Sequence, residues 1–223
     1  TPKAYGTPFT CDITAIDLGF NDGANTGTAS YELAVACDGR VSLDVRGLHD
    51  VAVGWSDEAV ATGETTARND GRRFRVENGR LDVAGSSDAF TVTWRFSRDA
   101  AFAGASKKGS TILWPEFCGN LYPCHPSSDD GVLFSMHVDG VPSGEKAVFA
   151  AQFSGNAPAF LPAFAVGDYT YFSLGMTGGG VEVGYWTLPS TAESAKTALT
   201  ELPKLVEWLE STLGPYPWGA KVA

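Results

Sequence analysis

Positive charge is scarce in this 223-residue chain: 16 Lys and Arg stand against 26 Asp and Glu, for a formal net charge of −10. That balance argues against a nucleic-acid partner, because affinity for a phosphate backbone rests on clustered cations. The pairs Arg72-Arg73 and Lys107-Lys108 are isolated and read as solvated surface. No apolar run reaches the length of about eighteen residues that a membrane-spanning helix needs. Histidine is limited to His49, His125 and His137. None has a second His or a Glu at ligand spacing, so His-Glu-x-x-His is absent and no metal site is legible. His137 reads as an ordinary strand residue and His49 as part of a turn. There is no Gly-x-Ser-x-Gly, and His125, Ser127-Ser128 and Asp129-Asp130 form a polar loop before they form a triad. The same acids are not at calcium-loop spacing. "TGGG" enters a strand, so it lacks the helix N-terminus of a phosphate cradle. The expected list of catalytic residues is therefore empty.

What the chain has in quantity is apolar and turn-forming residues: 43% apolar, 26 Gly and 12 Pro spread along its length. Such a chain folds, with many tight turns between short strands. Period-two runs dominate, as in "VSLDVRGL", "RRFRVENGRLDV", "AFTVTWRF", "GVLFSMHVDG" and "GVEVGYWTL", with hairpin turns expected at "ENGR" and "TGGG". The expected fold is mainly β: a saddle-like antiparallel β-sandwich or set of open curved sheets over residues 1–187. A C-terminal amphipathic helical segment over residues 188–223 follows.

In that segment Ser190 and Glu193 stand in capping-box spacing. Ala195, Leu199, Leu202, Val206, Leu209 and Leu213 make one apolar stripe. Pro203 implies a kinked helix or two short ones, and Gly214-Pro215 a stop.

Four cysteines are present. Cys11 and Cys37 flank a predicted hairpin around "NDGANTG". A turn centred on Ala24 would make paired positions sum to 48 and set the two directly opposite, near disulfide reach. Cys118 and Cys124 bracket "CGNLYPC" as a second clip. The alternative is four buried thiols; zinc is disfavoured because no C-x-x-C pair occurs. Disulfides would place the chain in an oxidising compartment, secreted, cell-surface or periplasmic, with the cytoplasm as the alternative.

Four ordered segments carry a resemblance: "RVSLDVRGLHDVAVGW", "WPEFCGNLYPCHPSSDDGVLFSMHVDGVPSGEKAVFA", "PAFAVGDYTYFSL…GVEVGYWTLP" and "LPKLVEWLESTLGPYPWGAKVA". Together they cover most of residues 30 to 221. The chain resembles the N-terminal domain of zinc aminopeptidases of the alanyl aminopeptidase and leukotriene hydrolase type. The Pro-started helix ending in Gly-Pro-Tyr-Pro is the most specific of the four matches. In that family a thermolysin-like domain follows, bringing Gly-x-Met-Glu-Asn and the zinc-binding His-Glu-x-x-His. Neither motif is in this sequence.

The resemblance thus implies an isolated, non-catalytic domain of a metallopeptidase. Its zinc would belong to the parent enzyme, its partner would be the downstream catalytic domain of the same polypeptide, and the intact enzyme would take a peptide substrate. It also implies that Trp114 and Glu116 line the first substrate pocket, against the alternative of a packed Trp and a solvated Glu. The family's Arg ahead of the aromatic is replaced at Gly119, and its Asp after Cys is displaced by His125-Pro126. Trp208, Tyr216 and Trp218 are expected on an exposed apolar surface where the catalytic domain docks. The alternative from another class is a free-standing secreted β-sandwich that binds carbohydrate or protein. A third reading is a relative without zinc motifs that acts as a scaffold.

Overall fold

A computed structural model describes residues 12–37, 40–55, 61–62, 65–67, 73–84, 87–99, 103–112, 117–125, 131–152 and 157–222. Its strands are β1 (Ile13–Asn21), β2 (Thr26–Cys37), β3 (Arg40–Asp44), β4 (Leu48–Gly54), β5 (Ala61–Thr62), β6 (Thr65–Ala67), β7 (Arg73–Glu77), β8 (Arg80–Ala84), β9 (Ser87–Phe96) and β10 (Arg98–Asp99). They continue with β11 (Gly104–Ser106), β12 (Thr111–Ile112), β13 (Gly131–Asp139), β14 (Lys146–Phe149), β15 (Ala157–Pro158), β16 (Phe164–Gly167), β17 (Thr170–Met176), β18 (Glu182–Thr187) and β19 (Lys221–Val222). Helices α1 (Ala192–Ala198) and α2 (Leu202–Leu213) lie between the last two strands.

The largest sheet has the order β15-β13-β1-β2-β9-β4-β5, and a four-stranded sheet has the order β3-β8-β7-β6. Buried residues of both belong to one apolar core. The ribbon β14-β16 and the sheet β17-β18-β19 extend the fold toward the C-terminus. The expected mainly β architecture of open sheets followed by a helical segment is what forms. Pairing is mostly antiparallel, but β1 runs parallel to β13, β10 parallel to β11 and β18 parallel to β19.

The local causes are legible. In β13, Val132, Phe134 and Met136 point into the core while Leu133, Ser135 and His137 face out, the period-two alternation of a half-buried strand. Asn78 and Gly79 adopt φ of 51° and 73°, the paired positive values that a two-residue hairpin turn requires, which explains "ENGR".

Against expectation, the first hairpin's pairs sum to 47, as in Phe20↔Gly27, rather than 48. A bulge past Ala15 shifts the register again, giving Ile13↔Leu33. The four-residue turn Asp22–Asn25 is the reason. Asn25 takes φ 52°, and Arg98 ties the turn shut by donating to Asn25 Oδ1 at 2.7 Å and pairing with the buried Asp22 carboxylate. Cys11 lies outside the described residues, so the Cys11–Cys37 clip does too; the backbone of Cys37 pairs with Ser87.

Aromatic side chains centre the core. Phe20 packs on Trp94, Phe96, Tyr122 and Phe164 with ring centroids 5.0–6.4 Å apart, and Tyr31 stacks on Phe90 at 4.9 Å.

Candidate docking surface and cleft

Cys118 and Cys124 form a disulfide with Cα atoms 5.9 Å apart, and both are fully buried. The turn they close is held by aromatic donors. The Trp94 indole N–H donates to the Leu121 carbonyl at 2.8 Å, and the Tyr31 hydroxyl to that of Pro123. The Tyr122 hydroxyl in turn donates to the Ala159 carbonyl at 2.8 Å. Burial pushes both phenols above the ordinary tyrosine range, which keeps them protonated as donors. Asp44 adds two backbone hydrogen bonds to Cys124. The Leu121, Pro123 and Cys124 carbonyls of this buried turn thereby each gain a protein partner. Trp114 and Glu116, expected to line a pocket beside this turn, lie outside the described residues.

The histidines do not converge. His49 belongs to strand β4 rather than a turn, with Nε2 3.1 Å from Ser97 Oγ. His125 is buried directly after Cys124, and His137 is exposed on β13 with Nε2 3.8 Å from Asp139. Among the described residues no three of His, Cys, Asp and Glu gather as metal ligands, and the cysteines at 118 and 124 are tied up as a disulfide. The described residues therefore do not fit zinc, and no catalytic step is assigned through a metal here.

The C-terminal third differs in kind. Pro189 opens a short 3₁₀ turn that takes in Ser190, so α1 starts one residue later, after Thr191, and no side chain caps it. The expected Ser190–Glu193 box does not form. Thr191 instead hydrogen-bonds Thr187 at 2.7 Å. The helical segment resolves into two helices, with Pro203 in the first turn of the second, where its missing N–H costs nothing. The break displaces the stripe expected along one face. Only Val206 of α2 is buried, while Leu209 and Leu213 are exposed. Polar contacts complete the helix's attachment: Glu207 accepts from the Gly178 N–H at 3.1 Å and Glu210 from the Tyr216 N–H at 3.4 Å. Gly214, at φ 100° and ψ 177°, ends α2 in a conformation essentially confined to glycine.

Ten large apolar side chains stand exposed among the described residues, and eight of them fall between Phe172 and Trp218. On α2 they are Leu205, Trp208, Leu209 and Leu213, with Trp208 60% and Leu213 79% exposed. Trp218 is exposed and sits edge-on to the half-buried Tyr216 at 5.7 Å. Burial raises the Tyr216 hydroxyl above the ordinary tyrosine range.

A second feature escaped the sequence reading. Across the β17-β18 hairpin, Tyr171 pairs with Trp186, ring centroids 5.2 Å apart, and its hydroxyl donates to Glu182 at 2.7 Å. Lys221, on the parallel strand β19, places Nζ 3.7 Å from the centre of the Tyr171 ring and 3.6 Å from Glu182. Of these residues Trp186 and Lys221 line a cleft of about 730 Å³ between β14-β16 and β19. The hairpin signal at "TGGG" was the clue to the Tyr171–Trp186 pair; nothing local announced Lys221.

No protein-family profile matches the chain, and no curated protein does. Solved structures do. An aminopeptidase A from Legionella pneumophila in complex with aspartic acid matches over 97% of this chain at TM-score 0.75 and 11% identity. An M1 zinc metallopeptidase from Deinococcus radiodurans bound to a Tyr-Ser-Ala substrate matches over 95% at TM-score 0.64 and 14% identity. A two-domain M1 zinc metallopeptidase bound to L-arginine matches over 95% at 0.62 and 15%. The chain spans 29% of the first of these proteins and 55% of each of the other two. It has the fold of a part of the M1 zinc aminopeptidases.

Proposed function

We propose that this chain is the non-catalytic N-terminal domain of a zinc aminopeptidase. In this reading residues 1–187 are the β domain and 188–223 the connection to a catalytic domain of the same polypeptide, which carries the zinc. The domain shapes the substrate pocket and caps the active site. The observation that carries it is the exposed apolar face of α2, with Trp208 60% exposed and Trp218 exposed nearby in sequence, on a fold found as one part of larger peptidases. A helix with one buried apolar side chain and four exposed large ones is built to be covered. Trp208, Tyr216 and Trp218 form the docking surface, and Trp114 and Glu116 lie toward the pocket. The buried Cys118–Cys124 disulfide supports an oxidising compartment, secreted or periplasmic.

The test starts from the reading frame downstream of Ala223. A His-Glu-x-x-His segment there, expressed separately, is expected to bind this chain in gel filtration, and Trp208→Ser with Leu213→Ser to abolish the complex. A downstream segment that lacks the motif, or that ignores the chain, overturns the reading.

A further inference from the structure

The cleft between β14-β16 and β19 is a built site that shares Trp218, and no other residue, with the docking surface. Its floor is small and apolar, with Ala150, Ala163 and Ala165, and its flanks carry the indoles of Trp186 and Trp218. The volume of about 730 Å³ falls within the range of ligand clefts. Gln152 supplies an amide at its edge. Among the described lining residues Lys221 is the one ionisable group, and it is a cation in a chain of net charge −10.

Lys221 is also not saturated. Glu182 gives one carboxylate oxygen to the Tyr171 hydroxyl and stands 3.6 Å from Nζ, too far for a direct hydrogen bond. An ammonium has three donors, and Tyr171 and Glu182 together occupy two at most. The Lys221 side chain is 45% exposed. Gly184 leaves the room that the Tyr171 hydroxyl occupies, since a side chain there would collide with it.

We propose that this cleft binds the C-terminal end of a short peptide, the terminal carboxylate on Lys221 and an apolar side chain between Trp186 and the alanine floor. Lys221 keeps Glu182 on one side and is the one charged group of the lining, so the apolar slot favours an acid with an apolar body. That the acid is a peptide rests on the peptidase reading above. The Gln152 amide suits the amide preceding such a carboxylate.

The experiment is a titration of the 223-residue chain with acetyl-Ala-Phe and with its C-terminal amide, followed through the indole N–H resonances of Trp186 and Trp218. The acid is expected to shift both resonances and to bind about tenfold tighter than the amide, the size of one charge-assisted contact. Lys221→Met lowers the acid to the affinity of the amide and leaves the amide unchanged, with an unaltered melting temperature showing that the fold is kept. Equal affinity for acid and amide, indifference to Lys221→Met, or no binding at millimolar peptide overturns the proposal. Tighter binding of a uronic-acid disaccharide overturns the peptide assignment. No catalytic partner enters this titration, so its failure leaves the docking reading standing, and failure of docking leaves the carboxylate selectivity measurable.

Discussion

Residues 12–166 and residues 170–222 handle their large apolar side chains in opposite ways. In the first region they turn inward: Phe20, Tyr31, Trp94 and Tyr122 are at most 2% exposed, and the polar atoms of three of them reach carbonyls of buried turns. In the second region Trp208, Leu213 and Met176 are at least 60% exposed, and α2 is attached by one buried valine and two glutamates. The same residue types serve cohesion in one place and association in the other. What separates them is whether a facing layer exists within the chain. The two large sheets contribute to one shared core; among the described residues nothing covers the outer face of α2.

Substitutions can break this contrast. Trp94→Ala should have the largest effect, a loss of about 3–5 kcal/mol in denaturant unfolding, because it leaves a cavity and strips the Leu121 carbonyl of its donor. Next comes Cys118→Ser with Cys124→Ser, expected to cost about 2 kcal/mol from the entropy of so short a closed loop. A melting curve unchanged by reduction would show instead that the aromatic hydrogen bonds alone hold that turn.

The third effect is confined to acid pH. The Tyr171 hydroxyl bond, followed by Lys221, holds the Glu182 carboxyl below the usual carboxylate range. A depressed carboxyl contributes stability that is present above its unfolded value and is lost as pH falls through the folded one. Protection of the β18 and β19 amides, taken relative to their intrinsic exchange rates, should therefore fall on acidification, and Glu182→Gln should remove that dependence while leaving β1 and β2 untouched.

Smallest is Trp208→Ser, which should change stability by less than about 0.5 kcal/mol while reducing binding of an apolar dye. A cost comparable to that of Trp94→Ala would collapse the contrast between the two regions.

Much of the fold could be read from local pattern. The alternation in β13 and the turn at Asn78-Gly79 are properties of adjacent residues, and the structure shows both. Where the reading erred, distant residues decided. The first hairpin shifts by one because Arg98, far along the chain, ties Asp22 and Asn25 into a four-residue turn. The α1 cap moved because Pro189 favours a 3₁₀ turn that absorbs Ser190. The stripe from Ala195 to Leu213 was correct as a count and misleading as a face, since the break before Leu202 lets the two helices rotate independently. The cleft was the least legible feature. Ala165, Trp186 and Lys221 come from three strands of two sheets, and the last strand pairs in parallel, which no hairpin pattern foretells.

The sequence by itself determined that this chain is a β protein with a short helical end and that turns fall at particular glycines and asparagines. Those outcomes follow from backbone sterics and side-chain periodicity, which act over a few residues. Only the tertiary structure decided which tryptophans are core and which are surface, and that a lone lysine sits at the edge of an apolar cleft. Burial and charge pairing depend on what the rest of the chain brings within a few ångströms, and that is set by sheet order.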